Sequence, residues 1–184
     1  MIARIVLAGL IGLVGAGIVH IVAVLATPRF SDSNAFSRHA GEPGRFAPVP
    51  TRDPLARAIA CRLDLREPVR LVADGDVPFW SASLLVPDGT NVYSLNDRTA
   101  ENGALDLIVV RRSEVDALRE RLVDDPPEIV ALEADGALAV LRVLVPDKSY
   151  EGVAGAFIES AGCEPLFGAR GSPGDGSGDG GASL

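Results

Sequence analysis

Histidine is nearly missing from this chain of 184 residues, which has only His20 and His39. Neither falls in the stretch that reads as a folded domain, so a histidine general base or metal triad is excluded there, and most hydrolase templates with it. Lysine is scarcer still, one residue beside sixteen arginines, and these cations are scattered among 25 acids. A net charge of −8 with no basic cluster argues against nucleic acid as a partner, because a phosphate-binding surface needs clustered cations. The two cysteines, Cys61 and Cys163, have no metal-motif spacing. The pairs Asp74/Asp76 and Asp124/Asp125 sit in turn sequences, where Asp bonds to its own backbone. The glycines of 12–17 lie in an apolar run with no soluble strand before them, which rules out a phosphate loop. No catalytic residue, metal ligand or cofactor is assigned on these grounds.

Charge is absent from residues 5–26, and His20 is the one polarisable group there. As a helix this run spans roughly 33 Å, enough to cross a bilayer. A cleavable signal peptide ending at Val24-Leu25-Ala26 is the alternative, but the apolar stretch exceeds the usual length of one. Ala8, Gly12 and Ala16 recur every four residues and His20 continues the row, a face on which a second helix can pack. Arg4 and the amino terminus compete with Arg29, Arg38 and Arg45 under the positive-inside rule. The short leading segment 1–4 and the cysteines favour a cytoplasmic amino terminus and a periplasmic domain, on a single-pass bacterial inner-membrane protein.

Residues 27–52, with four prolines, read as a linker, and 53–167 as one domain of α+β class. The domain is expected to be an antiparallel sheet or sandwich of six to eight strands, covered by short helices starting at Asp53, Ser113 and Asp147. Trp80, Ala82, Leu84 and Val86 alternate with Ser81 and Ser83, the period of a half-buried strand. Pro87-Asp88-Gly89 turns the chain; 91–95 and 105–110 complete a meander, with Asn102-Gly103 supplying the left-handed reversal. A further hairpin is expected from 129–133 and 138–145 about Asp135-Gly136, and a last helix with Tyr150, Val153, Phe157 and Ala161 on one side. From 168 to 184 the chain is Gly, Ser, Asp and Pro with almost nothing apolar, the composition of a disordered tail.

The one polar constellation is Tyr93, Asn96, Asp97 and Arg98, near the sole tryptophan, Trp80. Two readings stand. It forms a ligand-binding rim, with the Arg98 fork taking a carboxylate and Tyr93 offering a hydroxyl. Alternatively Asn96 and Asp97 satisfy turn amides and Arg98 makes an internal ion pair. Cys61 falls on an inward position of the first strand and Cys163 just past the last helix, and a bond between them suits an oxidising compartment; two buried free thiols are the alternative.

The pieces GIVHIVAVLATPRFS, ACRLDL, FWSASLLVPDG, YSLNDRTA with GALDLIVV, and LRVLVPD carry a family resemblance over 17–163, most specifically in FWS at 79–81 and YSLNDR at 93–98. The chain resembles a small membrane-anchored branch of the paired bacterial families called domains of unknown function 1254 and 1214. The resemblance implies a β-rich envelope protein without an established reaction. Larger relatives are similar to two β-rich halves in one chain, and this chain has room for one. A second small membrane protein supplying the other half is therefore an expected partner, beside the inner membrane itself. The expected role is a membrane-anchored periplasmic accessory or binding module, and the alternative a small-ligand binder or enzyme using the Tyr93–Arg98 cluster.

Overall fold

The computed structural model describes residues 1–30, 36, 43–122 and 126–168. An apolar helix, α1 (Ile2–Phe30), is followed by nine strands: β1 (Ala47–Val49), β2 (Ala56–Asp64), β3 (Val69–Ala73), β4 (Trp80–Leu85), β5 (Asn91–Asn96), β6 (Leu105–Arg111), β7 (Glu128–Leu132), β8 (Gly136–Leu144) and β9 (Gly162–Pro165). Helix α2 (Val115–Arg121) lies between β6 and β7, and α3 (Glu151–Ser160) between β8 and β9. The expected tail beyond Gly168 and residues 31–35 and 37–42 of the expected linker, His39 included, lie outside the described residues; of the rest of that linker, 27–30 continue α1 and Ala47–Val49 form β1, paired with β2, so the sheet begins earlier than residue 53.

Two sheets face each other, one ordered β1-β2-β8-β4-β5 and the other β7-β6-β3-β9. Alternation decides which side chains go between them. Ile59, Cys61 and Leu63 of β2, Trp80, Ala82 and Leu84 of β4, and Leu71, Leu107 and Val109 of the second sheet join one buried cluster. Strand β6 is buried on both faces, because Ile108 and Val110 lie under Leu118 of α2, with Val115 and Leu122 partly buried beside it. At one end of the core, Phe157 of α3 stacks on Trp80, ring centroids 6.1 Å apart.

Four local expectations are corrected. The helix expected at Asp53 is a single turn, in which Leu55 N–H donates to the Asp53 carboxylate at 2.9 Å. The chain then enters β2, whose nine residues pair with β8 from Ala56↔Leu144 to Asp64↔Gly136. Long pairing with an apolar strand outweighs a local cap. The meander stops after two strands, since β5 belongs to the first sheet and β6 to the second. Asn102 (φ 55) and Gly103 (φ 72) do adopt the left-handed conformation, but they turn the chain from one sheet to the other. Strands β7 and β8 likewise form no hairpin: β7 runs parallel to β6, with 112–127 as the crossover that parallel pairing requires. On α3 the buried face is Ala154 and Phe157, with Ile158 and Ala161 partly buried against the core, while Tyr150 and Val153 are exposed. The 3-10 turn Lys148–Tyr150 takes Tyr150 out of the helix, which shifts the phase.

The disulfide between Cys61 and Cys163 is formed, with Cα atoms 6.6 Å apart and a sequence separation of 102. It fastens β2 of one sheet to β9, the last strand of the other.

Candidate functional site

The β4–β5 hairpin determines where the polar cluster goes. Register sets Leu84 opposite Tyr93, Ala82 opposite Leu95 and Ser81 opposite Asn96, so Tyr93 shares the inward side with Leu84 and Leu95. Its phenol meets Glu128 at the start of β7, and burial first, then that carboxylate, pushes its pKa above the usual 10. Tyr93 thus bridges the two sheets along the side where β5 and β7 are the edge strands.

The other cluster members turn elsewhere. Asn96 Oδ1 accepts from the backbone N–H of Arg98 (3.0 Å) and of Thr99 (3.1 Å), and Asn96 O accepts from Ala100 N–H at 2.8 Å, a side-chain-supported turn. Asp97 N–H donates to Trp80 O, and its Oδ1 is buried without a hydrogen-bond partner among the described residues. Arg98 is exposed, and its guanidinium has no ion pair among the described residues. Trp80 is 1% exposed and its indole N–H donates to Gly103 O at 2.9 Å, so its ring is part of the core.

A hollow of about 380 Å³ lies next to this cluster, lined by Leu95, Thr99, Glu101, Asn102, Ala104, Asp106, Pro126, Pro127 and Glu128. Trp80, Tyr93, Asn96, Asp97 and Arg98 are not among its lining residues. Two of its three carboxylates are engaged, Asp106 by the fork of Arg70 (2.8 and 2.7 Å) and Glu128 by Tyr93. Among the described residues no group of three or more His, Cys, Asp or Glu side chains is placed to hold a metal ion. A larger hollow of about 570 Å³ lies along the same open side, between the β4–β5 turn and the end of β7, with Val86, Val92, Arg112, Leu132 and Glu133 on its walls. The two hollows flank the Tyr93–Glu128 bridge. The helix-packing row Ala8, Gly12, Ala16 and His20 lies on α1, where the glycines at 9, 12, 15 and 17 meet no other part of the chain among the described residues.

The outward face of the first sheet was not singled out from sequence. Arg142 of β8 stands exposed there between Ala58 and Ser81, with no ion pair or hydrogen-bond partner among the described residues. Ser83 and Ser94 lie opposite each other one row further on, hydroxyls 3.5 Å apart, and Asn91 Nδ2 donates to Ser94 Oγ at 2.8 Å. Alternation in LAVLRVL marks Arg142 as outward, but nothing local separates it from Leu138 and Val140, which this same face buries with Ala60 beside Phe36, Val49 and Leu85.

No protein-family model matches the chain, and no curated protein matches it significantly. Among solved structures it is similar to the crystal structure of the VPA0106 protein from Vibrio parahaemolyticus, with TM-score 0.56 and 14% identity over 72% of this chain and 32% of that one. It is also matched, with TM-score 0.46 and 18% identity over 69% of this chain and 34% of the other, to an uncharacterised protein from Burkholderia cenocepacia. The chain therefore spans 32% of the first structure and 34% of the second, and the likeness to the first is one of fold.

Proposed function

We propose that this chain is a membrane-anchored accessory or binding module whose β-sandwich stands on the periplasmic side of a bacterial inner membrane. The reading rests on the joining, in one chain, of an apolar helix that packs on no other element among the described residues with a domain closed by a disulfide. The helical window Ile2–Thr27 has a mean hydropathy of 2.5 and none of it is buried. The Cys61–Cys163 bond suits an oxidising compartment, which on this topology is the side opposite Arg4. The domain's strongest polar features serve turns and inter-sheet contacts, which favours binding over chemistry.

Carbonate extraction and protease treatment of spheroplasts test this reading. The full-length chain is expected in the carbonate-resistant membrane fraction, with its domain digested from outside and its cysteines refractory to alkylation until reduced. A soluble chain beginning after Ala26 would overturn the anchor, and a domain protected in intact spheroplasts would overturn the orientation. We also propose the two families of unknown function as the lineage, with a second membrane protein as the complement. Stoichiometric co-purification from detergent extracts tests the complement.

A further inference from the structure

We propose that the outward face of the five-stranded sheet docks on the anionic headgroup surface of the membrane in which α1 is anchored; the inference rests on the anchored reading above. Three observations carry it.

Reach comes first. Phe36 follows Phe30, the last residue of α1, after five intervening residues, a contour of at most about 20 Å. The Phe36 ring packs on Ala60, Leu138 and Val140, all outward-facing, and the Arg62 guanidinium lies 5.4 Å from its centroid. The tether therefore meets the domain on this face, close to the point where it leaves the bilayer.

The second is charge. In a chain of net charge −8, the outward strand positions of this sheet carry Arg62 and Arg142, and Asp64 is the one carboxylate among the described residues there. Asp64 sits at the end of β2 and is bound by Arg66. The opposite side of the domain carries Asp106, Glu164 and the exposed Asp116 and Glu120 of α2 against Arg70, Arg119 and Arg121, a small excess of acid where the first face has a small excess of base. An anionic surface attracts the first face and repels the second, so the same field that draws the domain down also orients it.

Relief is the third. Ala58 and Ser81 flank Arg142, and Ser83 and Ser94 lie beyond, so the guanidinium projects above a floor of short side chains. The floor offers hydroxyl donors to phosphate oxygens around that cation.

The test uses the full-length protein in lipid nanodiscs, of phosphatidylglycerol with phosphatidylcholine or of phosphatidylcholine alone. A fluorophore is placed at S94C on the docking face or at D116C on the opposite side; both native cysteines are in the disulfide and take no label. Energy transfer to a headgroup acceptor is expected to be greater from position 94 than from 116 in anionic discs. R142Q, at an exposed position and with its fold checked by circular dichroism, should lower the docked-to-free ratio on the order of fivefold. High salt should do the same. Equal transfer from both positions, or no response to lipid charge and R142Q, overturns the docking. Shielding of position 94 in both lipids together with a co-purifying protein overturns the lipid assignment in favour of a protein occupant. Failure of the chain to enter discs at all overturns the anchor instead.

Discussion

Removing the Cys61–Cys163 bond is the perturbation whose size follows most directly from the structure. A cross-link closing 102 residues withdraws about 4.7 kcal/mol of loop-closure freedom from the unfolded chain. Both cysteines are buried, Cys61 at 1% and Cys163 at 2% exposure, so the C61A/C163A variant leaves a small apolar site in the native state. The loss is therefore expected mostly in the unfolded state, at about 3–5 kcal/mol, a large share of the 5–15 kcal/mol typical of a domain. With a urea slope of roughly 2 kcal/mol per molar, the midpoint should fall by about 2 M. Trp80 reports this without labels, because it is the sole tryptophan and is buried against Phe157. An unchanged midpoint in the variant and in the reduced wild type would refute the loop argument. Early exchange of the β9 amides, before those of β3, should accompany the loss, since β9 pairs on one side only and the disulfide is its second attachment.

Three further outcomes are expected. Gly162→Ala sets a Cβ 2.8 Å from Val72 Cγ2 and should cost about 1–3 kcal/mol in urea unfolding, with Val72→Ala recovering part of it; additive effects in the double mutant would refute the clash. Trp80→Phe forfeits the indole bond to Gly103 O and part of the core volume, about 2–4 kcal/mol, and a loss below 0.5 kcal/mol would show the bond to be replaced by water. Asp64, held by the Arg66 side chain, Asp88, held by the Thr90 amide, and Asp147, held by the Ser149 hydroxyl and amide, all ionise below their ordinary value of 3.8. A depressed folded pKa contributes stability that is full above the unfolded value and is lost as pH falls through the folded one, so the thermal midpoint should drop below about pH 4 and D64N/D88N/D147N should flatten that drop; an equal slope in the triple variant would refute it.

Local chemistry was legible where a single residue decides the geometry. Asn102-Gly103 reads as left-handed because so few residues tolerate positive φ, and it is so. The alternation of Trp80, Ala82 and Leu84 puts them inward, as found, and Asp147 caps its turn through Ser149 N–H at 2.8 Å. What failed was partnership between elements. Asp135-Gly136 has the composition of a hairpin turn whether the next strand returns to the same sheet or crosses to the other, and only the pairing of β8 with β2 and β4 distinguishes these. Asp53-Pro54 likewise initiates a helix or a mere turn, according to what Ile59, Cys61 and Leu63 find opposite them. At the candidate site, turn residues and ligand-binding residues share one vocabulary: Asn96 is spent on amides, whereas Arg142, in a strand that reads as core, is left without a partner among the described residues.

The sandwich has four edges, and each of the strands on them is short, preceded by proline, or bulged. Strand β1 is three residues long with Pro48 at its centre, β9 is four and ends in Pro165, β7 follows Pro126-Pro127, and β5 is irregular in register beside Leu84/Leu85. Proline withholds a backbone donor, and short or bulged edges offer a poor template to a second sheet. Held in the plane of a membrane, identical domains meet far more often, and in fewer orientations, than they would in free solution. On the anchored reading proposed above, poor edges keep such encounters from becoming continuous sheets, so the domains can be crowded on a bilayer without polymerising across it.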